Sequence, residues 1–166
     1  MGAGAAAEVT ARMKPDTFLK KIADDNAVRP GTHEIAPPLR VAEQGRWKAR
    51  HPRLKLPNDL LGFLKKANGV KFHLSPTSPI GAEARFLPLR DIQPATELLY
   101  QNQEGEDEGL PDTWVALTDD AEGEQFLLFD IRKRVYLELD PGDDAEPIGE
   151  RFEEALDWLF ARYLDR

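Results

Sequence analysis

Apolar positions recur at helical spacing most regularly near the end of the chain. Phe152, Ala155, Leu156, Leu159, Phe160 and Tyr163 stand at i, i+3, i+4, i+7, i+8 and i+11, which predicts an amphipathic helix over residues 152–163. A second helix is bounded by its own signals. Pro57 suits a first turn, where its missing N–H leaves no bond unmade. Leu60, Leu61, Phe63, Leu64 and Ala67 share one face, and Asn68-Gly69 offers a left-handed exit. A shorter pattern, Phe18 and Ile22 with Leu19 beside them, predicts a helix over residues 17–25. Residues 39–49 fit neither period cleanly. A helix ending before Pro52 is the reading adopted, with Trp47 as a core residue. Pro94 is admissible in a first turn, so residues 91–102 are read as a further helix with Leu98 and Leu99 inward.

Between these helices the spacing turns to that of strands. Residues 71–74, 85–89, 114–117, 125–129 and 134–139 are read as strands, the last two joined by a tight turn at 130–133. In residues 126–129 both faces are apolar, so this strand should be covered on both sides. Pro, Gly and acidic clusters predict loops at residues 26–38, 75–82, 103–112 and 140–147, and a turn at 118–124. Met1 to Ala11 reads as a flexible alanine-rich tail, and residues 14–166 as one domain with no repeat and no second core.

The order of these pieces resembles the SUKH superfamily, which includes fungal cell-wall-assembly regulators and many bacterial immunity proteins. The resemblance starts at Leu56-Pro57, the apolar helix through Leu64 and the Asn68-Gly69 stop. It continues with Arg85-Phe86-Leu87-Pro88-Leu89-Arg90-Asp91-Ile92, a strand followed by Pro-Leu-x-x-Ile. Trp114-Val115-Ala116-Leu117, Phe126-Leu127-Leu128-Phe129-Asp130 and Val135-Tyr136-Leu137 match its strand series, and residues 152–163 its closing helix. Upstream the chain departs from the family, which usually runs a helix and a glycine directly into Leu-Pro. Here His51-Pro52-Arg53-Leu54-Lys55 precedes it. The resemblance implies an α/β protein of α+β type, with an antiparallel sheet of about four to six strands packed by helices. It assigns Leu56, Pro57, Leu64, Asn68, Gly69, Trp114 and Asp130 to the structural motif. It also implies a non-enzymatic protein that binds another protein.

Composition sharpens that expectation through charge. The net charge is −8, on a chain with 41% hydrophobic and 31% charged residues. Residues 1–100 hold 16 basic and 10 acidic side chains, whereas residues 101–166 hold 6 and 20. An acidic half repels nucleic acid and favours a basic partner. Three acidic groups are the candidate partner-binding residues: Glu104, Glu106, Asp107 and Glu108; Asp119, Asp120, Glu122 and Glu124; Asp143 and Asp144. The competing interpretation is an acidic surface that only maintains solubility.

Little in the sequence points to catalysis. There is no cysteine, which rules out disulfides and thiolate metal sites and suits a reducing compartment. His33, His51 and His73 have no metal-ligand spacing. Ser75 and Ser78 lie in no nucleophile elbow, and no Gly-rich phosphate loop occurs. Counted from Asp119, the sixth and twelfth positions of a calcium loop would be Glu124 and Ile131, so that pattern fails. The expectation is therefore no enzyme, no cofactor and no metal, no nucleic-acid or membrane partner, and a cytoplasmic protein. What the SUKH resemblance implies is that it either neutralises a cognate toxin, basic in the many cases where such a toxin is a nuclease, or serves as a scaffold without one. An enzyme of unrecognised type is the remaining alternative.

Overall fold

The computed structural model describes residues 13–73, 83–120 and 125–164. In chain order they form α1 (Pro15–Val28), β1 (His33–Ile35), α2 (Val41–Arg50), α3 (Asn58–Leu64), β2 (Val70–His73), β3 (Glu83–Phe86), 3-10 turns at Leu89–Asp91 and Ala95–Glu97, β4 (Leu99–Gln101), β5 (Asp107–Gly109), β6 (Trp114–Ala116), β7 (Thr118–Asp120), β8 (Phe126–Asp130), β9 (Val135–Leu139), β10 (Glu146–Gly149) and α4 (Phe152–Tyr163). The α+β class holds, and all strand pairings described are antiparallel. The described residues form ten short strands, divided among three sheets where one sheet of about four to six strands was expected. The expected tail at Met1 to Ala11, the last position of the expected strand at 71–74, the loop at 75–82 and the turn positions 121–124 lie outside the described residues.

Two four-stranded sheets, ordered β1-β2-β3-β7 and β10-β9-β8-β6, meet at one residue. Only Leu117 separates β6 from β7. Its N–H donates to the Leu127 carbonyl in one sheet, and its own carbonyl accepts from the Leu87 N–H next to the other, both at 2.9 Å. The expected turn at 118–124 therefore begins as strand. Thr118 supports it, its hydroxyl oxygen accepting from the Leu127 N–H at 2.9 Å.

The main core lies between the sheets and the helices. α4 buries Phe152, Ala155, Leu156, Leu159 and Tyr163 there. α3 adds Leu60, Phe63 and Leu64, all fully buried. Phe63 meets Phe18, Phe86 and Phe152 with ring centroids 5.2–6.1 Å apart, an aromatic cluster of favourable edge-on and tilted geometry. In β8, Leu127 and Phe129 face this core. Leu128 instead joins Ala95, Leu110, Leu137 and Leu139 in a second, smaller cluster on the other face. The strand is thus covered on both sides, and the sequence reading of a single core needs this correction.

Three other expectations change. The expected loop at 26–38 contains β1, because Asn26 grips His33 from both sides. Its Oδ1 accepts from the His33 N–H at 2.8 Å and its Nδ2 donates to the His33 carbonyl at 3.0 Å. The expected helix at 91–102 is replaced by 3-10 turns and β4. Pro94 bridges to Val115, and the Gln93 carbonyl accepts from the Ala116 N–H. These bonds draw the backbone onto β6 before a helical turn can close. The expected loop at 103–112 contains β5, and the one at 140–147 runs into the first half of β10.

Candidate functional site

The acidic residues sort into two places. Glu104, Glu106, Asp107 and Glu108 belong to a hairpin formed by β4 and β5, and all four are exposed. Asn102, which is buried, sets the turn. Its Oδ1 accepts from the Glu104 and Glu106 N–H groups, each at 3.0 Å, and its Nδ2 donates to Glu108 Oε1 at 3.0 Å. Gly105 takes φ of +83°, closing the loop where a side chain would be strained. The carboxylates are thus carried on an ordered hairpin that packs against the second cluster through Leu98, Tyr100 and Leu110. An Asn followed three residues later by Gly was the available signal for this turn.

Asp143 and Asp144 lie against the same hairpin and are exposed. A Cβ on Gly142 would stand 3.8 Å from the Gln101 carbonyl. Tyr100 joins the two acidic groups. Its hydroxyl donates to Glu108 Oε2 at 3.2 Å. Partial burial first, then Glu108, then Asp144, raise the Tyr100 phenol above its ordinary value. The hairpin and the 143–144 loop therefore make one acidic face.

Asp119 and Asp120 do not join it. Asp119 is exposed on the other sheet and pairs with Arg85 at 3.1 Å. Asp120 is buried beneath α4, with Arg162 at 3.6 Å and the Tyr163 hydroxyl at 3.5 Å. It serves the interior instead of the expected binding surface. Burial first, then Asp120, push the Tyr163 phenol up to about 12. Glu122 and Glu124 lie outside the described residues.

The motif residues act as fasteners. Leu56 and Leu64 are buried, and Pro57 occupies the N-cap position of α3. Asn68 Oδ1 accepts from the Leu89 N–H at 2.9 Å, tying the helix exit to the Pro-Leu-x-x-Ile segment. Gly69 has φ of +107°, and a Cβ there would lie 3.1 Å from both the Phe86 carbonyl oxygen and the Pro88 nitrogen. Trp114 Nε1 donates to Asp130 Oδ2 at 3.1 Å, while Asp130 Oδ1 accepts from the Arg132 and Lys133 N–H groups at 2.9 and 3.0 Å. Asp130 thereby holds the β8–β9 turn.

Asp59, beside the apolar face of α3, is a further fastener. Its carboxylate accepts from the Phe152 N–H at 2.8 Å and the Tyr136 hydroxyl at 3.3 Å. The first satisfies an amide at the start of α4. No local sequence pattern reveals a cap supplied from 93 residues away.

Among the described residues no group of three His, Asp or Glu side chains is placed to hold a metal ion. Nor is any helix there long and apolar enough to cross a membrane. The model of the SMI1 / KNR4 family (SUKH-1) matches residues 50–158 of this chain. No curated protein and no solved structure gives a match.

Proposed function

The chain belongs to the SMI1 / KNR4 family (SUKH-1), and from that membership and its acidic face we propose that it is an immunity protein that neutralises a cognate bacterial toxin by direct contact. The observation carrying this reading is the convergence of the 104–108 hairpin and the 143–144 loop around Tyr100. Fixed carboxylates on one face suit a basic partner such as a nuclease, whose substrate cleft attracts phosphates. The acids would stand where phosphates bind and would speed encounter. The role is non-enzymatic. The encounter takes place in the cytoplasm, a reducing compartment that a cysteine-free chain suits.

The test is binding to the product of the neighbouring gene. Glu104, Asp107, Asp143 and Asp144 are changed together to Lys. Glu108 is spared because it holds Asn102 and Tyr100. Association should slow most at low salt, while Asp119→Lys on the other sheet should leave the rate unchanged. Equal rates for all three proteins, with folds intact, would end the acidic-face mechanism. A neighbouring product that does not bind at all would favour the scaffold reading.

A further inference from the structure

A second surface stands apart from the acidic face. A cleft of about 550 Å³ runs between the arm at residues 35–38 and the turn at Leu89–Asp91, a volume in the range of ligand pockets. Gly69 and Val70 contribute to its lining, together with Pro37, Pro38 and Pro88. Proline fixes φ, so such walls lose little freedom on binding.

The charges around it are unbalanced. Four cationic side chains line the cleft, Arg40, Lys71, Arg85 and Arg90, against Glu34 and Glu43. Lys71 is already paired with Glu34 at 3.4 Å, and Arg85 with Asp119 at 3.1 Å. Arg40 stands at the N-cap position of α2 and Arg90 sits in the 3-10 turn. Among the described residues neither arginine side chain has an ion-pair or hydrogen-bond partner. They come from two different elements and line one space.

We infer that this cleft is a second interaction site, which clasps an acidic segment of a protein partner between Arg40 and Arg90. The guanidinium fork matches a carboxylate better than any other cationic side chain does. The proline walls and the exposed Ile35 offer apolar contact that a bare anion would leave unused. Among the described residues the only aromatic side chain lining the cleft is Phe86, which is buried, so base stacking lacks a platform. The inference does not depend on the toxin reading, because the acidic face and the cleft share no residue.

The probe is a fluorescein-labelled peptide of alternating glutamate and leucine, followed by anisotropy on the full chain. Wild-type protein should bind it saturably and shift the Gly69 amide resonance. Arg40→Glu and Arg90→Gln should each weaken binding by about tenfold or more, as expected for loss of a charge-assisted fork. Lys133→Glu, in the β8–β9 turn, should bind as wild type does. Circular dichroism establishes that each variant is folded. Equal binding of a lysine–leucine peptide, tighter binding of single-stranded RNA, or undiminished binding by both folded arginine variants would overturn the proposal. Toxin binding that survives Arg40→Glu separates this site from the acidic face.

Discussion

Two glycines near α3 should respond to substitution with opposite signs. Gly69→Val places a β-branched side chain at positive φ and against the Phe86 and Pro88 backbone. It should lose about 1–3 kcal/mol in denaturant melts. Gly62 lies within α3, with open space around its missing Cβ. Gly62→Ala should gain about 0.5–1 kcal/mol. The Asn68-Gly69 pair announced the first position in the sequence, but only the structure shows that Asn68 reaches Leu89. Asp25 was not visible at all, since its partners are set by how α1 meets β1. Arg29 beside it, and then His33 at 2.6 Å, hold its carboxyl below its ordinary value of 3.8, against the opposing effect of burial. A depressed folded value means that the stabilisation is present above pH 3.8 and is lost as pH falls through the lower folded value. Asp25→Asn should therefore be less stable than wild type near neutrality. The gap should close below pH 3.8 in urea melts run across pH.

Elements were legible where burial and period agree. α4 carries its inward row through five buried residues, and the expected bounds are those observed. α3 was found by the same rule, and Leu64→Ala should cost about 2–5 kcal/mol because the side chain is fully buried. A loss below about 1 kcal/mol would show a site that collapses without a cavity. The β4–β5 hairpin was illegible because its strands are mostly polar. Leu99 is 73% exposed, which no apolar pattern would predict. The helix expected at 91–102 failed for a related reason. Leu98 does pack inward, but Pro94 and Gln93 bond across to β6, and long-range pairing overrides local spacing.

At the scale of the whole molecule, the excess of acids after residue 100 becomes a face only through folding, which brings the hairpin and the 143–144 loop together. Association with a basic partner should therefore slow as salt rises, on the order of tenfold between low and high ionic strength in stopped-flow measurements. Dissociation should change much less. The asymmetry of charge was readable in advance, whereas its division between the surface and the buried Asp120 was not. The junction at Leu117 has a separate outcome. One peptide amide is hydrogen-bonded in the second sheet and the carbonyl of the same residue beside the first, so neither sheet can peel away without disturbing the other. The two should melt as one cooperative unit. In native-state hydrogen exchange the Leu117 amide should then be among the last to exchange, with an opening free energy equal to that of global unfolding. Exchange at Leu117 faster than at Phe129 would show instead that the sheets open in turn.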